Sequence, residues 1–142
     1  MIKGFSTGVY DMFHVGHLRL LKNAKDHCDF LTVGVSSDEL VQSYKNKSPI
    51  ISLNDRMEIV KAISYVDDVV PIDTRDKKEQ FFAQKYNRLF VGDDWKGSKI
   101  FYDLESFLKL HGAEIKYFSY TKDVSSSSLK NVLEEIYNRE FL

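Results

Sequence analysis

Proline is nearly absent from this 142-residue chain, at two residues, and glycine is sparse, at seven. No stretch is therefore loose or stiff enough to act as a linker, and one domain spanning 1–142 is expected. Cysteine occurs once, as Cys28, which excludes an internal disulfide framework and suits a reducing compartment, the cytoplasm. Long apolar runs are missing too. The longest, such as Phe30–Val35, fall far short of the ~20 residues that a membrane-spanning helix needs. Charge of one sign is not in excess: Lys+Arg 20 against Asp+Glu 21 leaves a net charge of -1. That balance offers no bulk basic field for a nucleic acid or an anionic membrane surface. Met1-Ile2-Lys3-Gly4 runs straight into strand-like residues, so no signal peptide is expected. What the chain does have is 43% hydrophobic and 29% charged residues, which is globular composition with enough apolar material for one sizeable core.

Short β-like runs alternate with longer helical ones. Ile2–Thr7, Phe30–Val35, Asp68–Ile72, Arg88–Val91 and Glu114–Ser119 read as five strands, and Phe30–Val35 is apolar throughout, as a strand covered on both faces requires. Helical spacing marks Gly16–Asp26, Leu53–Ile63 behind Ser52, Lys77–Tyr86, Tyr102–His111 closing at Gly112, and Ser125–Arg139. Strand-then-helix alternation predicts an α/β fold: a Rossmann-like, doubly wound parallel sheet with helices on both faces. Ligands in such sheets bind outside the carboxyl ends of the strands. The segments 7–17, 36–49, 92–98 and 119–128 are the places to look, and all four carry unusual residues.

The segment Gly8-Val9-Tyr10-Asp11-Met12-Phe13-His14-Val15-Gly16-His17 is the most informative. Two histidines three apart, leading into a helix, can face one ligand. Gly16 admits a bulky group, and a helix N-terminus directs free N–H groups and partial positive charge at it. A polyphosphate suits such a place, with the imidazoles stabilising charge that grows as a leaving group departs. A zinc half-site is the alternative, but His27, His111 and Cys28 supply no paired spacing, so no resident metal is expected. Lys45 and Lys47, at alternate positions in the 43–49 loop, point the same way if that loop is extended, and either clamp phosphates or form a solvated basic loop. Asp93-Asp94-Trp95 is a pair of acceptors beside an aromatic wall, or a plain turn. Ser125, Ser126 and Ser127 open an amphipathic helix with Leu129, Val132, Leu133 and Ile136 on one face. They are either a redundant N-cap or a phosphate-holding terminus. Arg56 lies near a helix start, where the dipole disfavours a cation, which points to a buried ion pair, a phosphate contact or a plain surface position. Asp11 orients a loop, supports the lysines or caps a turn. His27 and His111 follow helices and are expected to cap carbonyls, and Cys28 to fill the core.

The first motif resembles the HxGH signature of the nucleotidyltransferase superfamily, and more narrowly the cytidylyltransferases. Asp29–Glu39 is similar to their second strand and its following turn, Arg56 falls in their helix motif, and Tyr65-Val66-Asp67-Asp68-Val69 resembles their Tyr-Val-Asp-Glu-Val. Gly92-Asp93-Asp94-Trp95-Lys96-Gly97 is very close to the GDDWEG of bacterial glycerol-3-phosphate cytidylyltransferases, and the similarity extends over roughly residues 2–133. The resemblance implies one step: the phosphate of a phospho-alcohol attacks the α-phosphorus of CTP, with Mg2+ on the CTP phosphates. It gives a CDP-alcohol, CDP-glycerol when the acceptor is glycerol 3-phosphate, and pyrophosphate. It implies catalytic roles for His14, His17, Lys45 and Lys47. Nucleotide contacts would come from Gly8, Val9, Tyr10, Asp11, Gly16, Arg56 and Ser125 to Ser127, and acceptor contacts from Asp94, Trp95, Lys47 and Asp67. It further implies a cytoplasmic homodimer.

Two departures bear on the acceptor. Ser64 stands where the family has Arg before Tyr-Val-Asp, and Tyr120-Thr121-Lys122-Asp123 replaces its Arg-Thr-Glu-Gly. Each missing arginine removes a bidentate anion partner, for which Lys122 or Arg75 could compensate. Another phosphorylated polyol or an amino-alcohol phosphate therefore remains open as the acceptor. So do an adenylyltransferase of the superfamily and an inactive nucleotide-binding module.

Overall fold

Strands with apolar residues on both faces need cover above and below, and the helices of this chain supply it. The computed structural model describes residues 1–119 and 126–141, with the side chains of 129, 131–136 and 138 in the last helix. The strands β1 (Lys3–Gly8), β2 (Phe30–Ser36), β3 (Asp68–Ile72), β4 (Arg88–Gly92) and β5 (Glu114–Phe118) pair in parallel, in the order β3-β2-β1-β4-β5. The helices are α1 (Val15–Asp26), α2 (Asp38–Lys45), α3 (Leu53–Lys61), α4 (Lys77–Gln84), α5 (Lys99–Leu110) and α6 (Ser126–Phe141).

On one face Leu31, Val33 and Val35 of β2 meet Leu21 and Ala24 of α1 and Val60 of α3. On the other, Phe5 and Leu89 meet Phe81 of α4 with Phe101, Leu104 and Leu108 of α5. Phe5, Leu21, Leu31, Val33, Val35 and Leu89 are fully buried, and each such side chain stabilises by about 1.5–3 kcal/mol relative to an exposed one. The doubly wound parallel sheet read from the sequence is therefore the observed one. The chain winds outward through β2 and β3, then returns past β1 to β4 and β5. That reversal opens a crevice between the carboxyl ends of β1 and β4.

One segment departs from expectation. Residues 43–49 were expected as an extended loop, but α2 runs through Lys45. Ser37 Oγ accepts from Leu40 N at 3.1 Å, Asp38 and Glu39 complement the helix dipole, and Asn46 ends the helix in the left-handed region at φ 54°. Helix α5 also starts earlier than expected, at Lys99, because Ser98 Oγ accepts from Phe101 N. His27 and His111 accept their expected task, each placing Nδ1 at 2.7–2.8 Å from a carbonyl one turn back.

Gly34, like Gly4, marks a point of the sheet with no room for a Cβ. A Cβ on Gly34 would lie 2.5 Å from Ile72 Cγ1 and 2.8 Å from Ile72 Cδ1. Gly34→Ala is expected to destabilise the fold by about 1–3 kcal/mol, seen as a lower urea midpoint with an unchanged slope.

Candidate active site

The first strand ends in a loop of unusual backbone. Tyr10 and Met12 hold positive φ values of 55° and 49°, conformations that non-glycine residues adopt only where their surroundings impose them. The Tyr10 ring folds back against Gly8, where a Cβ would come within 2.9 Å of it, so the glycine is required there. Burial pushes the Tyr10 phenol up to about 12, with Ser6 partly opposing, and its hydroxyl finds no well-formed hydrogen bond among the described residues.

His14 caps α1. Its Nδ1 accepts from Gly16 N at 3.0 Å, while His17 Nδ1 accepts from His14 N at 3.3 Å, a reciprocal capping box made of imidazoles. A backbone N–H can only donate, so both Nδ1 atoms are unprotonated and each neutral ring carries its proton on Nε2. The rings stack with centroids 3.9 Å apart. Burial lowers the His14 pKa, and burial with the adjacent His14 lowers that of His17 to about 4, against a small opposing pull from Asp11. Two neutral Nε2–H donors therefore stand together at the N-terminus of a helix.

The walls around this pair are held by buried ions. Asp11 is 1% exposed, and its carboxylate accepts from Ile50 N at 2.8 Å and Ile51 N at 2.9 Å. Arg56 is 0% exposed. Its guanidinium donates to Ile51 O at 2.8 Å, Val9 O at 2.7 Å, Ser36 O at 2.8 Å and Asp38 Oδ1 at 2.5 Å. The buried ion pair expected as one of its alternatives is the one observed.

A cleft of about 640 Å³ opens at the carboxyl ends of the strands. Gly8, Val9, Tyr10 and His17 form its centre, with Trp95, Ile100 and Phe101 at the β4 end. Tyr44, Lys45, Thr74, Arg75, Lys77 and Gln80 line the β2–β3 end. Trp95 stacks on Phe101 at 5.4 Å. Lys77 Nζ donates to Thr7 Oγ1 at 2.5 Å, and burial together with Arg75 lowers its pKa to about 8.

The sequence-derived set divides on this geometry. Gly8, Val9, Tyr10, His17, Lys45 and Trp95 line the cleft, and His14 stacks on His17 at its edge. Gly16 uses its N–H to cap His14. Lys47 is exposed and outside the lining, because the Asn46 turn breaks the extended stretch that was to align it with Lys45. Asp94 is exposed beside Trp95, again outside the lining. Asp67 is not brought to the cleft: it precedes β3, at the amino end of the sheet, and binds Lys25 Nζ at 2.6 Å and Leu31 N at 2.8 Å. Ser64 lies at that same end. Ser125 and Lys122 fall outside the described residues, as do the side chains of Ser126 and Ser127. Sequence reasoning missed Lys77, Tyr44, Thr74 and Gln80. The signal was available, since 73–77 also follows a strand, but it holds no motif.

Among the described residues, no three His, Cys, Asp or Glu side chains converge to hold a metal ion, and none of the residues lining the cleft is a carboxylate. The donor set suits an anion, and a divalent cation fits here only on that anion's own oxygens.

Two measurements check these charges. An NMR titration should find the His17 midpoint near 4, well below the ordinary 6.5. An ammonium that titrates at about 8 in the fold instead of 10.5 costs stability in full below pH 8, and less as pH rises toward 10.5. Lys77→Met is therefore expected to stabilise the protein at pH 7 by roughly 1–3 kcal/mol, with the gain fading above pH 8 in denaturant titrations.

Comparison with known proteins agrees with this geometry. A family profile described as cytidylyltransferase-like matches residues 5–132. Glycerol-3-phosphate cytidylyltransferase of Bacillus subtilis is 35% identical over 131 residues, covering 92% of this chain and 95% of the relative. The enzyme of that name from Staphylococcus aureus is 33% identical over 141 residues, covering 99% and 98%. Among solved structures, a lipopolysaccharide core biosynthesis protein from Thermoplasma volcanium superposes with a TM-score of 0.71 at 27% identity, over 87% of this chain and 99% of that one. The chain with the stacked histidine pair at the head of α1 belongs to the cytidylyltransferase-like family.

Proposed function

We propose that this chain is a single-domain nucleotidyltransferase that transfers CMP from CTP to a phospho-alcohol, with glycerol 3-phosphate as the acceptor. The observation that carries the reading is the pair of neutral Nε2–H donors of His14 and His17, fixed at a helix N-terminus beside the cleft. An oxygen of the acceptor phosphate attacks the α-phosphorus of CTP. The bond from that phosphorus to the oxygen bridging the α- and β-phosphates breaks, and pyrophosphate leaves with the electron pair. The nucleophile is already an anion, so no general base is required and catalysis is positioning plus charge stabilisation. Neutral donors serve this better than cations that would already be paired with the ground-state phosphates. They strengthen as negative charge builds on the leaving side.

Mg2+ enters this reading on the CTP phosphates, where it neutralises part of their charge. The apolar β4 end, with Trp95, Phe101 and Ile100, suits the nucleoside, and the cationic β2–β3 end suits phosphate oxygens. The full length shared with glycerol-3-phosphate cytidylyltransferases supports glycerol 3-phosphate over other phospho-alcohols. We place the enzyme in the cytoplasm, where its nucleotide is made. No helix among the described residues is long and apolar enough to cross a membrane. A homodimer completes the reading. Leu129, Val132, Leu133 and Ile136 of α6 are 39–51% exposed and give apolar surface for a second copy.

Pyrophosphate release tests the assignment. CTP with glycerol 3-phosphate should turn over, while ATP, or CTP with phosphocholine or phosphoethanolamine, should be poorer by at least about tenfold. His17→Ala should keep the wild-type circular dichroism and lose roughly 10²–10³ in kcat. Turnover with ATP and none with CTP would overturn the nucleotide assignment.

A further inference from the structure

The β2–β3 end of the cleft gathers Lys45, Arg75 and Lys77, with no carboxylate among its described lining residues. Arg75 follows β3 and places its guanidinium 4.3 Å from the centroid of the Tyr44 ring, at the end of α2. It makes no hydrogen bond or ion pair among the described residues. Lys77, the first residue of α4, points into the same end with one partner, Thr7. Lys45 lines it from the α2 side. Three cations thus surround one notch in which no described lining residue is an Asp or Glu. Arg75 lies close enough to Lys77 to help lower the pKa of that ammonium. Such crowding is unfavourable unless an anion sits between the charges.

From this we propose, on the strength of the reaction assigned above, that Arg75, seated on Tyr44, binds the phosphate of the acceptor together with Lys77, and so determines which acceptors the enzyme takes. Cation–π stacking holds the planar fork in place before substrate arrives, so less side-chain freedom is lost on binding. Two parallel N–H···O bonds engage two oxygens of a phosphate monoester and leave the third to attack. Lys77 reaches the phosphate from below, and its bond to Thr7, one residue before Gly8, ties the notch to the loop that ends at His14 and His17. The arrangement also supplies an arginine in a chain that has Ser64 where the family's arginine stands. Residue 64 sits at the amino end of the sheet, opposite the cleft, so an arginine there would not do what Arg75 does within this chain.

The test compares wild type, Arg75→Gln, Arg75→Lys and Tyr44→Leu by steady-state kinetics in both substrates, with calorimetric binding of glycerol 3-phosphate in the absence of CTP. Arg75→Gln should raise the KM for glycerol 3-phosphate by at least about tenfold, with the KM for CTP unchanged and kcat within a few-fold. Arg75→Lys should recover only part of this loss, because it keeps the charge without the fork. Tyr44→Leu should fall between wild type and Arg75→Gln. A pH profile supplies a readout that a purely structural role would not move. Removing the guanidinium should shift the alkaline limb of acceptor binding, set by Lys77, above its wild-type midpoint near 8. The groups facing Lys77 across the cleft are Tyr10, His17, Tyr44, Lys45 and Arg75, with Asp76, Lys78 and Glu79 beside it on the surface of α4. A rise in the KM for CTP in place of that for the acceptor would overturn the proposal, as would variants that leave both unchanged. If the wild type turns over no phospho-alcohol yet binds glycerol 3-phosphate in an Arg75-dependent way, the anion site stands and the assigned reaction falls.

Discussion

A guanidinium sealed from solvent holds this site in shape. Arg56 gathers the carbonyls of Val9, Ser36 and Ile51 and the carboxylate of Asp38, which lie after β1, at the end of β2, before α3 and at the start of α2. These stretches are loops and helix starts with polar backbone to satisfy, beyond what the packing of Tyr10, Phe13 and Leu53 secures. Asp11 does the converse with its carboxylate, taking the N–H groups of Ile50 and Ile51. One cation collects acceptors and one anion collects donors, and both converge on residue 51. A buried charge is tolerated only when hydrogen bonds replace its water, and removing one partner of such an arrangement costs about 3–5 kcal/mol. The fold therefore adds desolvated ions to the apolar packing of Tyr10, Phe13 and Leu53 in fixing the segments that carry the functional groups. Backbone aimed by hydrogen bonds keeps its direction more closely than backbone resting on side chains that can repack.

Within that frame, charge is divided between two stations. At the head of α1 burial keeps both imidazoles neutral, helped at His17 by the neighbouring His14, so they act as oriented dipoles. At the β2–β3 end the lining groups are cationic and crowded, with no carboxylate among the described lining residues. The first station favours charge that develops during reaction, and the second favours charge already present on a substrate. Near-neutral composition hides this arrangement entirely. A net charge of -1 describes the surface average, whereas the chemistry depends on a few groups within one cleft.

The strands, their parallel pairing and the histidine loop were legible in the sequence because each rests on a local signal: apolar runs, a helix period, a motif at a strand end. The α2 helix was not, since Gln42, Ser43, Tyr44 and Lys45 carry no apolar period and the helix rests on the Ser37 cap and on Val41 alone inside. That omission put Lys45 and Lys47 in one extended loop and gave both the same direction. Asp67 was misplaced for another reason. Its motif identifies a strand, but whether a residue meets the ligand depends on which end of the strand it occupies, and Asp67 lies before β3 begins. Lys77 escaped, and Arg75 was legible only as a candidate substitute for the missing arginines, because Asp73-Thr74-Arg75-Asp76 reads as an ordinary polar turn. Only the sheet order shows that it ends beside β1's own loop.

The spacing of the two histidines has a physical origin in the helix itself. A capping box pairs the N-cap with the third helical residue, so its two side chains must stand three apart whatever their identity. Serine, threonine or asparagine at the N-cap, with glutamate or glutamine three on, would satisfy the same backbone donors with less side chain. Imidazole differs in having a second nitrogen on the far side of the ring. Its near nitrogen accepts from the helix, which fixes the tautomer, and the far nitrogen is thereby obliged to be a donor pointing away from the backbone. Burial then removes the alternative in which the ring simply protonates. Helix geometry sets the spacing, the cap sets the tautomer and desolvation sets the charge. The presence of histidine at both positions is explained only by what its far nitrogen can donate to.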